Sequence, residues 1–485
     1  MASTDVVRTR TGVYHDSVSL MRVSRAAAAL PGVEVAVVAM ATELNLGIAA
    51  ELGFGLPRAD PGDLLIALRG EADALEAASA ELDGLLAALS APSAGGGGAE
   101  HPPRTVRAAA RERAATLALV SVPGPYAFAE ALDAVEAGLS VMIFSDNVPV
   151  EQEVLLKRRA AERGVLVMGP DCGTAVVGGA GLGFANVLRP GPVGLVAASG
   201  TGAQQVSCLL DLAGVGVSHV LGVGGRDLSA DVGGLSTLRA LEALDADPAT
   251  ELIVLISKPP APEVARAVEE AVAKLGTPVV TALLGTGQDD LTSATEAALR
   301  ALGVPVPAWP SWPVPGTPGA AHAASAASAP PGLPGTGDAG AGGNLRGIYS
   351  GGTLCVEARL VAGHGEFTDF GDDAYTVGRA HPMIDPTLRL EALAEVPPGD
   401  VVLLDVVLGH GADPDPSARL APAIAEAVAR GVTAVVALVG SEGDPQGLAA
   451  QAGALNAAGA AVFTSNAGAA GHAARAATGI AANAR

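Results

Sequence analysis

The sequence is poor in aromatic residues and in cysteine. Only 3% of its 485 residues are Phe, Trp or Tyr, so its hydrophobic cores have to be built mainly from Ala, Val and Leu. The three cysteines, Cys172, Cys208 and Cys355, are odd in number, far apart and in no metal-binding spacing. This pattern predicts a reducing compartment without disulfides and excludes a cysteine-based zinc site, and we expect no bound metal.

Positive charge and long apolar runs are also scarce. The chain has 29 Lys or Arg residues against 51 Asp or Glu residues, and its formal net charge of −22 at pH 7 repels nucleic acids and anionic membranes. No stretch approaches the roughly 20 apolar residues of a membrane-spanning helix, and the N-terminus lacks the apolar core of a signal peptide. The sequence therefore predicts a cytoplasmic protein that binds neither nucleic acid nor membranes.

The abundant small and aliphatic residues form alternating strand-like and helix-like segments. Residues 1–95 read as a small α/β segment that ends in a Gly-rich stretch. Residues 104–190 and 191–303 alternate strand and helix in the manner typical of a parallel sheet with right-handed crossovers. Residues 304–343 are rich in Pro, Ala and Gly and are predicted to be a linker. A third unit of the same α/β kind follows at 344–485.

A group of small residues separates a buried strand from an amphipathic helix near the middle of the chain. The strand is the apolar run 193–198, the helix begins near Gln204, and the turn between them is Ser199, Gly200, Thr201 and Gly202. Such a turn directs unpaired backbone N–H groups and the positive end of a helix dipole at one point, where small side chains let an anion approach. We therefore expect an anion site here, although simple helix capping explains the same residues.

The same design recurs at the start of the last unit. An apolar segment from Leu345 and a helical run that ends near Gly363 flank a second turn, which consists of Ser350, Gly351, Gly352 and Thr353. Two turns of this kind in two α/β units are suited to holding one anion between them. Two unrelated capped helices remain the alternative.

The paired turns resemble those of the succinyl-CoA synthetase superfamily, in which two helix N-termini share one phosphoryl group. The stretches that carry the resemblance lie in 104–302 and 345–470 and include SVPGPYAFAEAL, GPDCGTA, SGTGAQQV and GVGGRDL. The resemblance implies a Rossmann-like CoA-binding-type domain at 104–190 and a ligase-like flavodoxin domain at 191–303. It also implies a flavodoxin-like domain at 344–485, similar to the C-terminal domain of the synthetase beta subunit.

The whole chain resembles the FdrA family still more closely. The segments that carry this resemblance are VYHDSVSLM, GLGFANV, YSGGTLC, TVGRAHPMIDPTLR and LLDVVLGHGADPDP. It implies that alpha- and beta-derived parts are fused in one chain that descends from acyl-CoA synthetases. For a member of this family it also implies an oxamate carbamoyltransferase, formed with two separate partner subunits, which interconverts oxalurate plus phosphate with oxamate plus carbamoyl phosphate.

The chain departs from the synthetases at their catalytic positions. The synthetases use a phosphohistidine in a Gly-His-Ala-Gly segment, whereas TALLGTGQDD occupies that place here and no His occurs between Val220 and Gly303. The Glu that orients this His corresponds to Lys258, and an ATP-grasp region is missing. These departures favour direct transfer of a group to or from inorganic phosphate, because such a transfer needs only positioning and charge neutralisation.

The loops at the carboxyl ends of the predicted strands supply the remaining candidates. Arg226 is a candidate for binding phosphate, and Lys258 is a candidate catalytic cation. Arg379 is suited to holding a carboxylate such as that of oxamate, and His381 or His410 to acting as a general acid or base. For each histidine a structural role in its loop is the alternative.

The favoured function is thus an FdrA-type subunit of a carbamoyl or acyl transferase that uses phosphate, acts on a small molecule and works with separate partner subunits. An ADP-forming acyl-CoA synthetase that borrows a nucleotide-binding chain stays open, and so does a non-catalytic scaffold that binds CoA or phosphate. Phosphate is expected as a substrate. Binding of CoA is left open, because the Gly-rich loop that opens the synthetase alpha subunit has no counterpart here.

Overall fold

The computed structural model describes residues 3–15, 17–90, 103–285, 287–314, 343–376 and 379–479. These residues form four β-sheets with helices packed against them. The predicted α/β class, with a small N-terminal segment followed by parallel-sheet units, is confirmed. None of the described helices combines the length and apolarity required to cross a membrane.

The first unit is a three-stranded antiparallel sheet with helices on both faces. In chain order its elements are β1 (Thr4–Arg10), α1 (Ser17–Ala28), β2 (Val33–Met40), α2 (Glu43–Glu51), β3 (Leu64–Gly70) and α3 (Ala72–Ser90). The strand order is β1-β3-β2, with α1 and α3 packed on one face and α2 on the other. The sequence patterns missed β1, because this edge strand carries Asp5, Arg8 and Arg10 instead of an apolar run.

The second unit is a small parallel sheet with the strand order β4-β5-β6. Its elements are α4 (Val106–Glu112), β4 (Leu117–Val120), α5 (Gly124–Glu136), β5 (Ser140–Ile143), α6 (Val150–Arg163) and β6 (Val167–Met168). Ala and Val side chains of α5 pack closely on the short strands. The chain then leaves this sheet through the segment 169–173, which leads to the next unit.

The third unit has a six-stranded sheet with the order β12-β11-β9-β10-β7-β8. Its elements are β7 (Thr174–Val177), β8 (Ala180–Gly183), β9 (Pro190–Ala197), α7 (Gly200–Leu212), β10 (Val217–Gly222), α8 (Leu235–Asp245), β11 (Leu252–Ser257), α9 (Pro262–Val272), β12 (Val279–Leu283) and α10 (Leu291–Ala301). The β7–β8 hairpin pairs antiparallel with β10, so it joins this sheet rather than the unit predicted at 104–190.

The fourth unit has a six-stranded sheet with the order β13-β18-β17-β16-β14-β15. Its elements are β13 (Ser311–Trp312), β14 (Leu345–Tyr349), α11 (Gly352–Ala362), β15 (Glu366–Asp369), α12 (Asp373–Thr376), α13 (Thr387–Ala394), β16 (Val401–Val407), α14 (Pro416–Ala429), β17 (Thr433–Val439), α15 (Leu448–Ala457), β18 (Ala461–Phe463) and α16 (Asn466–Thr478).

The beginning of the predicted linker is part of this fourth sheet. Ser311 and Trp312 pair antiparallel with β18, and the Trp312 ring packs against the core of the unit. A two-residue strand within a Pro-rich segment has no sequence periodicity that would reveal it. Residues 315–342 of the predicted linker lie outside the described residues.

The third and fourth units share one hydrophobic core. Val206 and Leu210 of α7 and Leu299 of α10 belong to the same buried cluster as Leu354 of α11 and Ala473 of α16. Burial of a continuous apolar surface holds two units in a fixed relation. The starts of α7 and α11 are therefore held in one place relative to each other.

A buried polar network runs through the same interface. Glu357 accepts hydrogen bonds from the backbone N–H of Leu291 at 2.6 Å and from Nδ2 of Asn466 at 2.7 Å. Tyr349 donates its hydroxyl proton to Oδ1 of Asn466, and the backbone N–H of Asn466 donates to Gln205. Because buried polar groups are costly without partners, this pairing selects one arrangement of the two units.

We expect Glu357 to make the stability of this interface depend on pH. Burial raises the pKa of Glu357 from 4.5 to about 7, so between these pH values the folded protein holds a proton that the unfolded chain has released. The unfolding free energy therefore falls as the pH rises from about 4.5 to about 7, by up to about 3 kcal/mol. Urea unfolding of the wild type and Glu357→Gln between pH 5 and 8 measures the difference, which the variant should lose.

Glu270→Gln is the matched control for this experiment. Glu270 is exposed on α9, so its replacement should leave the pH dependence as in the wild type. A Glu357→Gln protein with the wild-type pH dependence would contradict the prediction.

Candidate functional site

The two small-residue turns lie directly against each other. A Cβ atom on Gly351 would come within 2.7 Å of Oγ1 of Thr201, and a Cβ atom on Gly202 would come within 3.2 Å of Cγ2 of Thr353. Helix α7 of the third unit and helix α11 of the fourth unit therefore begin at one shared point. Only a residue without a side chain fits at position 351, since any larger residue would meet Thr201.

The first turn combines helix capping with free donors. Ser199 is extended, with φ −167°, and its Oγ accepts the N–H of Gly202 at 2.9 Å. The N–H groups of Gly200 and Thr201 have no hydrogen-bond partner among the described residues, as is usual in the first turn of a helix. Capping and anion binding are thus compatible at this turn, because they use different N–H groups.

A cleft of about 170 Å³ adjoins the first turn. Ser199 and Gly200 form one side, and the loop after β10, with Gly224 and Gly225, forms another. Asp171, which follows the end of β6, lines it as well. The cleft lies beyond the carboxyl ends of β9 and β10, where open parallel sheets bind ligands.

The second turn is held from inside by a buried carboxylate. Asp405 of β16 accepts the N–H of Ser350 at 2.7 Å, the N–H of Gly351 at 2.9 Å and the hydroxyl of Ser350 at 3.0 Å. Arg389 forms an ion pair with the same carboxylate at 3.0 Å. The predicted ligand role of Ser350 is therefore not what this arrangement shows, since both its donors are used internally. The N–H groups of Gly352 and Thr353 have no partner within the described ranges.

Two side chains of opposite charge meet at the start of α11. A Cβ atom on Gly352 would lie 2.5 Å from Oδ2 of Asp369 and 3.1 Å from Nζ of Lys258. Lys258 comes from the loop after β11, so it reaches from the third unit to the fourth. The structure thus brings Lys258, a predicted site residue, to the second turn, and adds Asp369, which the sequence did not reveal.

Burial and neighbouring charges adjust the acidity of Asp369. Its other oxygen, Oδ1, accepts the N–H of Gly371 at 2.9 Å. Burial raises the pKa of Asp369 to about 6, a rise that Asp405 and Asp372 increase and that Lys258 opposes. This carboxyl can therefore exchange a proton close to neutral pH.

Asp171 is a second acid that the sequence pattern left without a role. It has a left-handed backbone conformation, with φ +56°, and lines the cleft. Desolvation raises the pKa of Asp171 to about 6, Asp146 and Asp373 raise it further, and Lys258 and Arg226 oppose them.

His381 is held as a neutral imidazole rather than placed as a general acid or base. Its Nδ1 accepts the N–H of Met383 at 3.2 Å, so the neutral ring carries its proton on Nε2. That nitrogen would lie 2.9 Å from a Cβ atom on Gly371, whose N–H binds Asp369. Burial lowers the pKa of His381 to about 4, and Arg389 contributes. A group with this pKa is poorly matched to proton transfer at neutral pH, which argues against the predicted role.

The other three candidates stand apart from the turns. Arg226 donates to the carbonyl of Val148 at 2.7 Å and pairs with Glu153 at 2.9 Å, so the second unit holds its guanidinium, although its charge also lowers the pKa of Asp171. His410 is exposed after β16, and its backbone pairs with that of Ala185. Arg379 is exposed beside residues 377–378, which lie outside the described residues. Among the described contacts, none joins Arg379 or His410 to either turn.

Family models match three parts of the chain. Residues 2–103 match the model "AllF, heavy metal-associated domain", residues 189–283 match "CoA binding domain", and residues 348–476 match "CoA-ligase". The first segment contains no cysteine, the ligand that soft heavy metals favour. The second match covers the unit predicted as ligase-like at 191–303 rather than the unit at 104–190.

Curated relatives match the chain over different lengths. The uncharacterized protein YahF of Escherichia coli (strain K12) is 38% identical over 91% of this chain and 92% of its own length. Succinate–CoA ligase [ADP-forming] subunit alpha 2 of Archaeoglobus fulgidus is 31% identical over 32% of the chain. The malate–CoA ligase subunit alpha of Methylorubrum extorquens is 28% identical over 34%. The chain spans only about half of these two ligase subunits, 54% and 56%.

Solved structures with similar parts include an ATP citrate lyase and an acetyl-coenzyme A synthetase. ATP citrate lyase from Methanothrix soehngenii, in complex with citrate and coenzyme A, gives a TM-score of 0.32 at 20% identity over 41% of this chain and 38% of that chain. The dinucleotide-forming acetyl-coenzyme A synthetase 1 of Ca. Korarchaeum cryptofilum gives 0.29 at 17% identity, over 78% of this chain and 85% of that chain.

We expect Asp405 to stabilise the second turn far more than Ser350 does. Asp405→Ala leaves the buried charge of Arg389 without its carboxylate partner and should lower the unfolding free energy by about 3–5 kcal/mol. Ser350→Ala removes only one hydroxyl donor and should cost about 1 kcal/mol. Urea denaturation of both variants measures the difference, and equal losses would show that the turn does not depend on Asp405.

We also expect that Gly351→Ala separates the two turns. Its Cβ atom would meet Thr201 at a distance that real contacts do not allow, so the variant should be destabilised by about 1–3 kcal/mol. Gly453→Ala on α15 is the control, because a Cβ atom there meets nothing within 4 Å. Thermal unfolding of the two variants tests the contact, and a Gly351→Ala protein as stable as the control would refute it.

Proposed function

This chain belongs to the FdrA family, and from that premise we propose that it is a subunit of an enzyme that transfers a carbamoyl or acyl group to or from inorganic phosphate. The coarser assignment, a scaffold like that of the acyl-CoA synthetases, follows from its CoA-binding and CoA-ligase domains. The finer proposal is an oxamate carbamoyltransferase-like reaction, in which oxalurate and phosphate give oxamate and carbamoyl phosphate.

The observation that carries the proposal is the contact between the two helix N-termini. The turns that carry the free N–H groups of Gly200 and Thr201 on α7 and of Gly352 and Thr353 on α11 contact each other, and Lys258 lies at the start of α11. Helix dipoles and unpaired N–H groups stabilise a phosphate dianion, and a fixed cation adds to this. Such a site can hold phosphate as a nucleophile or as a leaving group.

Direct attack by phosphate is favoured because this chain lacks the phosphohistidine of the succinyl-CoA synthetases. The third unit has no His after His219, which lies on β10 and hydrogen-bonds the N–H of Gly178. In the proposed reaction an oxygen of phosphate attacks the carbamoyl carbon, a C–O bond forms, and the C–N bond to the oxamate nitrogen breaks. The protein then needs to orient the two substrates and neutralise the phosphate charge.

An acid–thiol ligase is the second candidate, and the CoA-binding domain match supports it. When bound, CoA would supply a thiol that accepts the acyl group. The direct transfer proposed above needs no thiol acceptor, so the two candidates differ in whether CoA is consumed.

We expect the chain, co-expressed with the subunits encoded beside it, to release carbamoyl phosphate from oxalurate when phosphate is present and ATP and CoA are absent. Lys258→Met should raise the KM for phosphate about 10- to 100-fold, because a charged partner of the anion is lost. Lys274→Met is the matched control, since Lys274 is exposed beyond α9. Steady-state kinetics on the complex gives both values.

A parallel ligase assay with ATP, CoA and a carboxylic acid distinguishes the two candidates. Activity in this assay together with no phosphorolysis of oxalurate would overturn the transferase proposal and favour the ligase.

A further inference from the structure

We propose that Asp369 is the general acid–base residue of this site and that it protonates the nitrogen that leaves the carbamoyl group. The inference rests on the proposed function and deepens it by assigning the proton transfer. Asp369 is the last residue of β15, at the edge of the fourth sheet, and its carboxyl group stands at the start of α11.

The two oxygens of Asp369 have different surroundings. Oδ1 is fixed by the N–H of Gly371 at 2.9 Å. Oδ2 faces the site, 2.5 Å from where a Cβ atom on Gly352 would lie, and Nζ of Lys258 is 3.1 Å from the same point. One oxygen thus anchors the carboxyl group, while the other converges with the Lys258 cation on the place proposed for phosphate.

His381 positions this carboxyl group without neutralising it. A Cβ atom on Gly371 would lie 2.9 Å from Nε2 of His381 and 3.1 Å from Oδ1 of Asp369. The His381 ring therefore packs against Gly371, the residue whose N–H binds Asp369. The ring also packs against Phe184, with a centroid distance of 5.7 Å. An uncharged imidazole here leaves Asp369 free to take up a proton, as an imidazolium would not.

The protonated form of Asp369 is available at neutral pH when phosphate is bound. Burial already raises the pKa of Asp369 to about 6, and a dianion at the start of α11 would raise it further by like-charge repulsion. The titratable or charged groups that face it from the surrounding elements are Lys258, Cys355, Asp372, His381, Arg389 and Asp405.

The chemical step needs such an acid because an amide anion is a poor leaving group. As the phosphate oxygen bonds to the carbamoyl carbon, the electron pair of the breaking C–N bond passes to the oxamate nitrogen, which takes the proton from Oδ2 of Asp369. In the reverse direction the Asp369 carboxylate removes a proton from oxamate while its nitrogen attacks carbamoyl phosphate. Hydrogen phosphate loses its own proton as the carbamoyl phosphate dianion forms, and this proton restores the protonated Asp369. Atoms, charge and protons then balance in both directions, and no further reactant is needed.

The test is the pH dependence of oxalurate phosphorolysis by the complex that contains Asp369→Asn. The wild type should lose kcat/KM as the pH rises through the pKa of the acid, whereas the variant should lose about 10²- to 10⁴-fold in kcat/KM and show no such limb. The KM for phosphate should not rise, because Asn removes a negative charge beside the phosphate and keeps the acceptor for the N–H of Gly371. Asp369→Glu should recover part of the rate with a shifted profile, which a purely structural role would not produce.

Glu426→Gln is the matched control, because Glu426 is exposed on α14 and none of the described contacts joins its side chain to the site. It should have wild-type kinetics. If Asp369→Asn keeps the wild-type rate and pH profile while the wild type performs phosphorolysis, the inference is wrong and the proposed function stands. If the wild type requires ATP and CoA, the proposed function itself fails.

Discussion

A carboxylate with no contact to water, that of Asp405, constrains the part of the fold on which the site depends. Burial raises the pKa of Asp405, so its charge is stable there only because donors surround it. Two of these donors are the backbone N–H groups of Ser350 and Gly351, and a third is the Arg389 guanidinium. Satisfying the carboxylate therefore determines the backbone of the second turn and the direction in which α11 begins.

The position of α11 then restricts which residues the first turn can contain. Gly351 has to leave room for the Thr201 side chain, and Gly202 for that of Thr353. This mutual contact restricts both turns to small residues. The shared core and the buried Glu357–Asn466 pair hold the two units at this distance. The small residues thus serve packing and anion access together, which is why capping and ligand binding could not be separated from the sequence.

The sequence predicted those features that depend on local pattern. The strand–turn–helix design at Ser199 and Ser350 and the position of Lys258 after a buried strand follow from apolar runs and loop residues. It did not predict that Ser350 faces inward, because Asp405 lies 55 residues away and meets it only through strand pairing. Asp369 was missed for a similar reason, since β15 is a short, half-exposed edge strand without an apolar run. The roles of His381 and Arg226 depend on burial and on distant partners, which no local pattern reports.

The charges around Lys258 explain how one site can both bind phosphate and move a proton. Lys258 acts on Asp171 on one side and on Asp369 on the other, and both acids have a pKa of about 6. Near neutral pH these carboxyl groups are close to their titration range, so the net charge of the site changes when a charged ligand binds. A bound dianion favours protonation of the two acids, and protonated acids in turn repel the dianion less. Phosphate binding and proton uptake are therefore linked, and the linkage brings the acid into its donating form when the group to be transferred is bound.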